Sequence, residues 1–322
     1  MKTYRIQIKP QTAFGSNILG ETLFGQLCWA YRHLFTEDAL NKALENYTKG
    51  EPFLVVSDAY PSGYLPLPTV PQKYFKDSNL DRKLLKKKIW LKKTDFKTNL
   101  KDLRDKAISD VELNKELEKE LGLSEQEKIQ TQYKHVHATI NRLTNTTTAD
   151  GMFKPFSTTE TFYSSKHTFD IYIVTTSDDK ILSKENLIKL LEFVGLSGYG
   201  KDASVGLGKF EISKIEEIEN KVKSNSVMTL SSCALNHENV LIDKTFYKTK
   251  THFGRHGDFV ACSDNPFKKP IILAKSGALI SFKEEYTLPY FGVGIGNISN
   301  SQANAVHQGY APVIGINSDF GK

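Results

Sequence analysis

Cysteine is scarce in this chain: Cys28, Cys233 and Cys262 are widely separated, and none belongs to a C-x-x-C pair. That argues against a disulfide framework and against a structural zinc site. Cys28 lies in the apolar run LCWAY and reads as a small buried hydrophobe. Long apolar runs are missing too, since no stretch approaches the roughly 20 apolar residues of a transmembrane helix. The N-terminal MKTYRIQIKP alternates polar and apolar residues and lacks the continuous apolar core of a signal peptide. A cytosolic (cytoplasmic) protein with no membrane partner is therefore expected. With 39% hydrophobic residues the chain is not of the disordered class, and 322 residues suit two domains.

Acidic residues are sparse in one region. Between Lys73 and Lys106, thirteen Lys or Arg face five Asp, a local balance of +8 in a chain whose net charge is +6. A localised basic region is the electrostatic footprint of polyanion binding, although a solvated helical face reads the same way.

Hydrophobic periodicity gives the organisation. Tyr4, Ile6 and Ile8 alternate with Arg5, Gln7 and Lys9 as in a half-buried strand. Leu23, Leu27, Ala30, Tyr31 and Leu34 recur at helical spacing, with Thr22 as the predicted N-cap. Phe53–Ser57 reads as a buried strand that the Pro-rich run Pro61–Pro71 closes. From Lys73 to about Val136 the pattern is polar and helical, an insertion without a core of its own. In it Gly122 stops one helix, and Ser124 with Glu127 predicts a capping box for the next. Thr-rich arms around Asp150-Gly151 predict a long hairpin. A strand bearing Phe169, Ile171 and Ile173 follows, then a helix from Ser183 to Gly195, and a strand over Val205–Ile215. Strand, helix, strand, insertion, strand, helix, strand is the ferredoxin-like βαββαβ order. Beyond an acidic linker at Glu216–Asn225, a strand-rich second domain is expected, with strands at Val227–Leu235, Lys244–His252, Ile271–Ala274 and Ala278–Lys283.

Four segments carry candidate chemistry: AFGSNILGET at 13–22, the hairpin around Asn141 and Arg142, GLSGYGKDASVGLG at 195–208, and PYFGVGIGNISNSQANAVHQGYAP at 289–312. Glycine at this density lets backbone approach a ligand and exposes amides that bind phosphate oxygens. Tyr199, Phe291, His307 and Tyr310 offer stacking faces and Lys201 a positive charge, the combination single-stranded RNA requires. GYGKDAS lacks the spacing of a nucleotide P-loop, and FGVGIGN is not followed by a clear amphipathic helix, which disfavours a Rossmann site.

The segments FGSNILGETLFGQLCWAYR, EPFLVVSDAYPSGYLPLPTVP, HATINRLTNTTTADGMF, GLSGYGKDASVGLGKF, LPYFGVGIGN and HQGYAPVIGI, in this order, resemble the RAMP-superfamily subunit of the type III-A CRISPR Csm effector complex. That family, the fourth Csm protein in the usual numbering, caps the crRNA 5′-handle end. The resemblance covers nearly the whole chain, and is weakest from Phe75 to Tyr133 and in the middle of the second domain. It implies an α+β chain of two ferredoxin-like (RRM-like, RAMP) domains, with a helical insertion and a β-hairpin thumb in the first. The first domain would span 1–218 with its insertion at about 73–165, and the second 226–322.

By the same resemblance the chain would be a non-catalytic RNA-binding subunit acting in antiviral defence. It would grip the crRNA 5′ handle and contact the large polymerase-like Cas subunit and the backbone RAMP subunit, meeting target RNA indirectly. The hairpin with Asn141, Arg142 and Phe153 would be the thumb that displaces a nucleotide from the guide–target duplex. The candidate RNA-contacting residues are Phe14, Gly15 and Ser16; Asn141, Arg142 and Phe153; Gly198, Tyr199, Gly200, Lys201 and Ser204; and Gly292, Gly294, Gly296, His307, Gln308 and Tyr310.

Two other classes compete. A metal-independent endoribonuclease processing precursor crRNA needs a general acid and base. His135 and His137 lie two apart and point to opposite faces of a strand. His252 and His256 sit in a segment broken by Gly254 and Gly257, which does not favour a rigid dyad. A purely structural scaffold would instead use KLLKKKIWLKK, Lys83–Lys93, as a partner-binding helix. No cofactor is expected, and no metal, because Asp178, Asp179 and Asp243 look like turn residues.

Overall fold

The computed structural model describes residues 1–76, 81–147, 154–219, 222–235 and 239–320. Strand β1 (Lys2–Pro10) buries Tyr4, Ile6 and Ile8 on one face, as its alternation predicts. Helix α1 (Gly20–Leu34) starts earlier than Thr22, after Leu19, which supplies no side-chain cap. The opening turn is held across the chain instead, Gly20 N–H donating to Asp58 Oδ1 at 2.8 Å. A short helix not foreseen in the sequence, α2 (Glu37–Leu44), follows with Thr36 as its cap. Strand β2 (Leu54–Val56) is wholly buried.

The insertion is less helical than its composition suggests. After β3 (Tyr60–Pro61) and β4 (Tyr64–Pro66), which precede it, it holds α3 (Arg82–Lys87), β5 (Lys88–Lys92), α4 (Leu103–Lys106), β6 (Ile108–Ser109) and α5 (Asp110–Glu120). Strands β4, β5 and β6 form a small antiparallel sheet. The capping box belongs to Ser109 and Glu112 at the head of α5. Ser124 N–H and Oγ do donate to Glu127 Oε2, at 2.9 and 3.1 Å, but they close a turn with no helix behind it. Gly122, at φ +59°, ends α5 as expected.

The insertion also has core of its own, contrary to the sequence reading. Leu113 and Leu117 bury against Tyr64 and Ile129. Leu91, Phe96, Leu100 and Leu103 pack with Met228, Leu230, Leu279 and Ile316 from the C-terminal part of the chain.

The helical pattern expected up to about Val136 gives way to strand from Gln130 onward. Strands β7 (Gln130–His137) and β8 (Phe156–Tyr163) pair antiparallel from Gln130↔Tyr163 to His137↔Phe156, and β7 is exposed along its whole length. The predicted turn at Asp150-Gly151 lies outside the described residues.

The chain then returns as β9 (Phe169–Thr175), α6 (Lys184–Ser197) and β10 (Phe210–Glu217). Ser183 caps α6, accepting from Asn186 N–H at 3.2 Å. Gly195 does not end this helix. It lies inside it, where a Cβ would come within 2.3 Å of Phe210 O, so its absent side chain lets α6 sit on β10. Residues 203–205 form a 3-10 turn, and the last strand starts only at Phe210.

The main sheet has the order β10-β1-β9-β2 with antiparallel neighbours, and β3 pairs with one end of β9. Helices α1 and α6 pack together over it, joining Ile6, Ile8, Leu23, Leu27, Val55, Ile171, Ile173, Leu187, Leu191 and Phe210 in one core. Burying each such aliphatic side chain contributes roughly 1.5–3 kcal/mol.

A second sheet follows, built from β11 (Ser224–Thr229), β14 (Leu279–Tyr286), β15 (Tyr290–Gly292) and β16 (Tyr310–Gly315) in the order β14-β11-β16-β15. The hairpin of β12 (Thr249–His252) and β13 (Ile271–Ala274) stands beside it. Among the described residues this part contains no α-helix. The predicted strands are present, two of them shorter than expected and one extended to Tyr286.

The two sheets meet through buried polar contacts. Gln308 grips the edge of β2, its amide accepting from Val56 N–H at 2.8 Å and donating to Val56 O at 2.7 Å. Tyr310 Oη donates to Tyr47 O, and Tyr60 Oη to Leu230 O, each at 2.7 Å.

Candidate nucleic-acid interface

The loop after α6 is shaped by close backbone approach. Gly198 turns the chain at φ +94°, and a Cβ there would meet Leu207 O at 2.4 Å. Gly200, at φ +77°, sits so close to the first loop that a Cβ would lie 2.3 Å from Ser16 Oγ. Lys201 N–H donates to that hydroxyl at 3.3 Å, and Gly15 faces the carbonyl of Lys201. Two segments predicted separately, 13–22 and 195–208, thus form one surface. Ser16, Lys201 and Ser204 are exposed on it.

Tyr199 does not serve as a stacking face. It is 1% exposed, and its hydroxyl accepts from Leu19 N–H at 2.9 Å while lying 3.3 Å from Asn17 O. Burial pushes the phenol well above its ordinary range. The ring is a peg that fixes one loop against the other. Phe14 is likewise buried, bridged to Thr161 of β8 and edge-on to Tyr163. It joins the base of the β7–β8 hairpin to the core and offers no face to a base.

The C-terminal segment departs furthest from expectation. Phe291, His307, Gln308 and Tyr310 are 4%, 3%, 0% and 0% exposed, so they offer no stacking surface to solvent. A Cβ at Gly292 would strike Gly309 O, and one at Gly294 would strike Tyr47 O. The backbone approach that these glycines permit is made by the protein itself. Gly296 is exposed and lies beside Thr48. Of this group only His307 lines the cleft described next.

Asn141 closes a turn at the far end of the β7–β8 hairpin, accepting from Leu143 N–H at 2.9 Å and bridged to Thr146, with Arg142 exposed beside it. Phe153 lies outside the described residues. The hairpin carries His135 beside Glu160, and His137 against Phe156 and Thr158. These residues stand apart from the glycine loops, so the structure does not gather all the predicted contacts in one place. In the basic insertion, Lys76, Lys92 and Lys106 are paired with Asp102, Glu116 and Asp95. Lys93 lies over the Tyr172 ring at 4.9 Å.

A cleft of about 860 Å³ opens between the joined glycine loops and α1 on one side and the chain around 252–257 and 302–307 on the other. Its deepest charged group is Glu21, 3% exposed and paired with Lys250. His252 Nδ1 lies 3.7 Å from the same carboxylate oxygen, and the His252 and His307 rings are 4.8 Å apart. Burial, with His252 and two lysines adding, depresses His307 to about 2, so this imidazole is neutral. Burial also lowers His252, against the pull of Glu21, and lowers Lys268. Beneath the cleft, burial and then the charge of Glu21 raise Asp58 to about 7. Lys201, Arg255 and Lys268 add cations to the lining, and His256 is fixed by Ser299 at 2.7 Å.

Such a cleft can hold an anion among its cations while Glu21 accepts hydrogen bonds deeper in. Glu21, Lys250, Arg255 and Lys268 escaped the sequence reading. A signal did exist, since Glu21 falls at i−3 and i−7 to Phe24 and Cys28, a carboxylate on an otherwise apolar helical face. Among the described residues, no group of three or more His, Cys, Asp or Glu is arranged to hold a metal, and no helix is long and apolar enough to cross a membrane.

No family model matches the sequence, and no curated protein matches it either. Solved structures do match in fold, among them chains of type III CRISPR-Cas complexes. One is a chain of a Csm1–Csm4 cassette in complex with pppApA, at TM-score 0.60 and 15% identity, covering 100% of both chains. Another comes from a Csm3–Csm4 subcomplex of the type III-A CRISPR-Cas interference complex, at TM-score 0.56 and 15% identity, covering 98% of this chain and 100% of that one. Csm4 is the component common to both, and the mixed α and β architecture described above is Csm4-like in fold.

Proposed function

We propose that this protein is a non-catalytic RNA-binding subunit of a type III CRISPR RNA-guided effector complex. In this reading it holds the crRNA 5′ handle and bridges the large polymerase-like subunit to the backbone RAMP subunits. The observation that carries it is the full-length fold match to chains solved with Csm1 in one case and with Csm3 in the other. The cleft supports it with cations and joined glycine loops, as backbone-tracking RNA contacts require. The first sheet and its two helices, within 1–218, make a ferredoxin-like domain with an insertion. The second sheet, within 226–322, is a further RAMP-like domain. The exposed β7–β8 hairpin is the thumb at the guide–target duplex, target RNA is otherwise met indirectly, and the complex acts in the cytoplasm.

Co-expression with the large and backbone subunits, followed by sequencing of the trapped RNA, tests the reading. Repeat-derived 5′ ends in a ternary complex support it, and an RNA-free assembly would leave only the scaffold reading. One observation favours an endoribonuclease as second reading: His252, His256 and His307 all line the cleft that holds Glu21. Against it, burial holds His307 neutral and lowers His252 and His256, which leaves no strong acid–base pair near neutral pH. The variant His252→Ala/His256→Ala is expected to mature crRNA normally; accumulated precursor would put the nuclease first.

A further inference from the structure

Glu21 Oε2, Gln26 Oε1 and His307 Nε2 are all buried without a hydrogen-bond partner, and all three residues line the same cleft. Buried polar atoms are nearly always satisfied, so three orphans around one cavity mark a place where a ligand completes the bonding. Their chemistry is selective. A carboxylate oxygen and an amide oxygen only accept, and a neutral imidazole nitrogen gives or takes one hydrogen bond according to its tautomer. Glu21 keeps its charge partner, because Lys250 binds the other carboxylate oxygen. The free oxygen is therefore an anionic acceptor, wrong for a phosphate and suited to an N–H donor. Phosphate finds its complement among Lys201, Arg255 and Lys268.

Resting on the proposed RNA-binding function, we propose that this cleft reads one unstacked nucleotide and selects adenine or cytosine over uracil. Adenine and cytosine each present an amino donor beside a ring-nitrogen acceptor, which matches acceptors next to a neutral imidazole. Uracil presents one imino donor between two carbonyl oxygens and sets a carbonyl against the carboxylate. Sites built on buried hydrogen-bonding groups reject a ligand that leaves them unpaired.

The test is fluorescence-anisotropy titration of the full chain with labelled short oligoadenylate, oligocytidylate and oligouridylate, with ribose 5-phosphate as competitor. The amino-bearing oligomers are expected to bind about tenfold tighter than oligouridylate. Glu21→Gln and, independently, His307→Phe should shrink that preference with little change in oligouridylate affinity. Thermal melts identify any variant that fails to fold, and the wild-type series stands without the variants. Equal affinity for the three oligomers, or full displacement by ribose 5-phosphate, overturns the base-reading proposal and leaves RNA binding intact. If RNA binds but Lys201→Gln/Arg255→Gln changes neither affinity nor salt dependence, the cleft is not the RNA site and the base-reading proposal falls while RNA binding stands; failure of all three oligomers to bind overturns the RNA-binding function itself.

Discussion

The segments 195–208 and 289–312 are alike in sequence, both glycine-rich with aromatic and basic or imidazole residues interleaved, yet the protein uses them in opposite ways. The first packs one face against 13–22 and leaves Lys201 and Ser204 in solvent. The second turns inward, where Gln308 and Tyr310 are wholly buried and bonded to the backbone of Val56 and Tyr47. Glycine density reports that something comes close to the backbone, not whether that something is ligand or protein. Two measurements separate the cases: the stability lost on substitution and the RNA affinity lost per folded molecule.

The largest stability effect is expected from Tyr199→Ala. Replacing a buried aromatic by Ala removes about 3–5 kcal/mol, and here the peg between the two loops goes with it. Chemical denaturation checks this. RNA affinity should fall too, because Ser16 and Lys201 lose their common support. A melt unchanged from wild type would mean that the ring is free to stack and that its burial is not maintained in solution. Next comes Gln308→Leu, which keeps the volume but strands the N–H and C=O of Val56. A buried unpaired group costs roughly 1–3 kcal/mol; taking each of the two in the lower half of that range, a loss of about 2–4 kcal/mol is expected with RNA affinity per folded molecule unchanged. Weaker RNA binding without destabilisation would return the C-terminal segment to the interface and erase the contrast.

The main sheet and both of its helices were legible because each buries one face of a regular element. Ile6 and Ile8, or Leu187 and Leu191, repeat at the period their element imposes. The insertion was not, because its short strands and turns carry no period, and its apolar residues bury against Met228 and Leu279 far along the chain. The same distance hid the cleft. Glu21 and Lys250 are 229 positions apart, and nothing in either neighbourhood announces the other. The likeness of the two glycine segments misled for a related reason, since Tyr47 and Val56, the partners that bury the second one, lie in a stretch that reads as ordinary strand and turn.

Asp58 ties α1 to the second half of the chain, accepting from Gly20 at the head of α1 while its own N–H donates to Leu230 O. Its carboxyl is raised from 3.8 to about 7, first by burial and then by Glu21. The folded state therefore holds a proton that the unfolded state has released, and stability falls as pH rises from about 4 toward 7. That contribution is complete below the unfolded value and gone above the folded one. Asp58→Asn keeps an oxygen for Gly20 and should flatten the thermal-denaturation profile across this window. A variant with the wild-type slope would show that Asp58 is ionised when folded, and would place the pH response elsewhere.

The smallest stability effect, and the most telling, is expected at Lys201. Its side chain is exposed and its nearest carboxylate, Asp202, is 3.9 Å away, a surface pair that adds little to folding. Lys201→Gln should hold stability within about 0.5 kcal/mol of wild type. If the ammonium neutralises a phosphate of single-stranded RNA, its loss removes roughly 0.7 from the slope of log affinity against log salt. Gln308→Leu should leave that slope alone, so the pair of variants gives opposite answers in the two assays. An unchanged slope in Lys201→Gln would mean that the first loop, like the second, exists to be packed. RNA would then have to be sought on the exposed β7–β8 hairpin or along the unpaired lysines of the insertion.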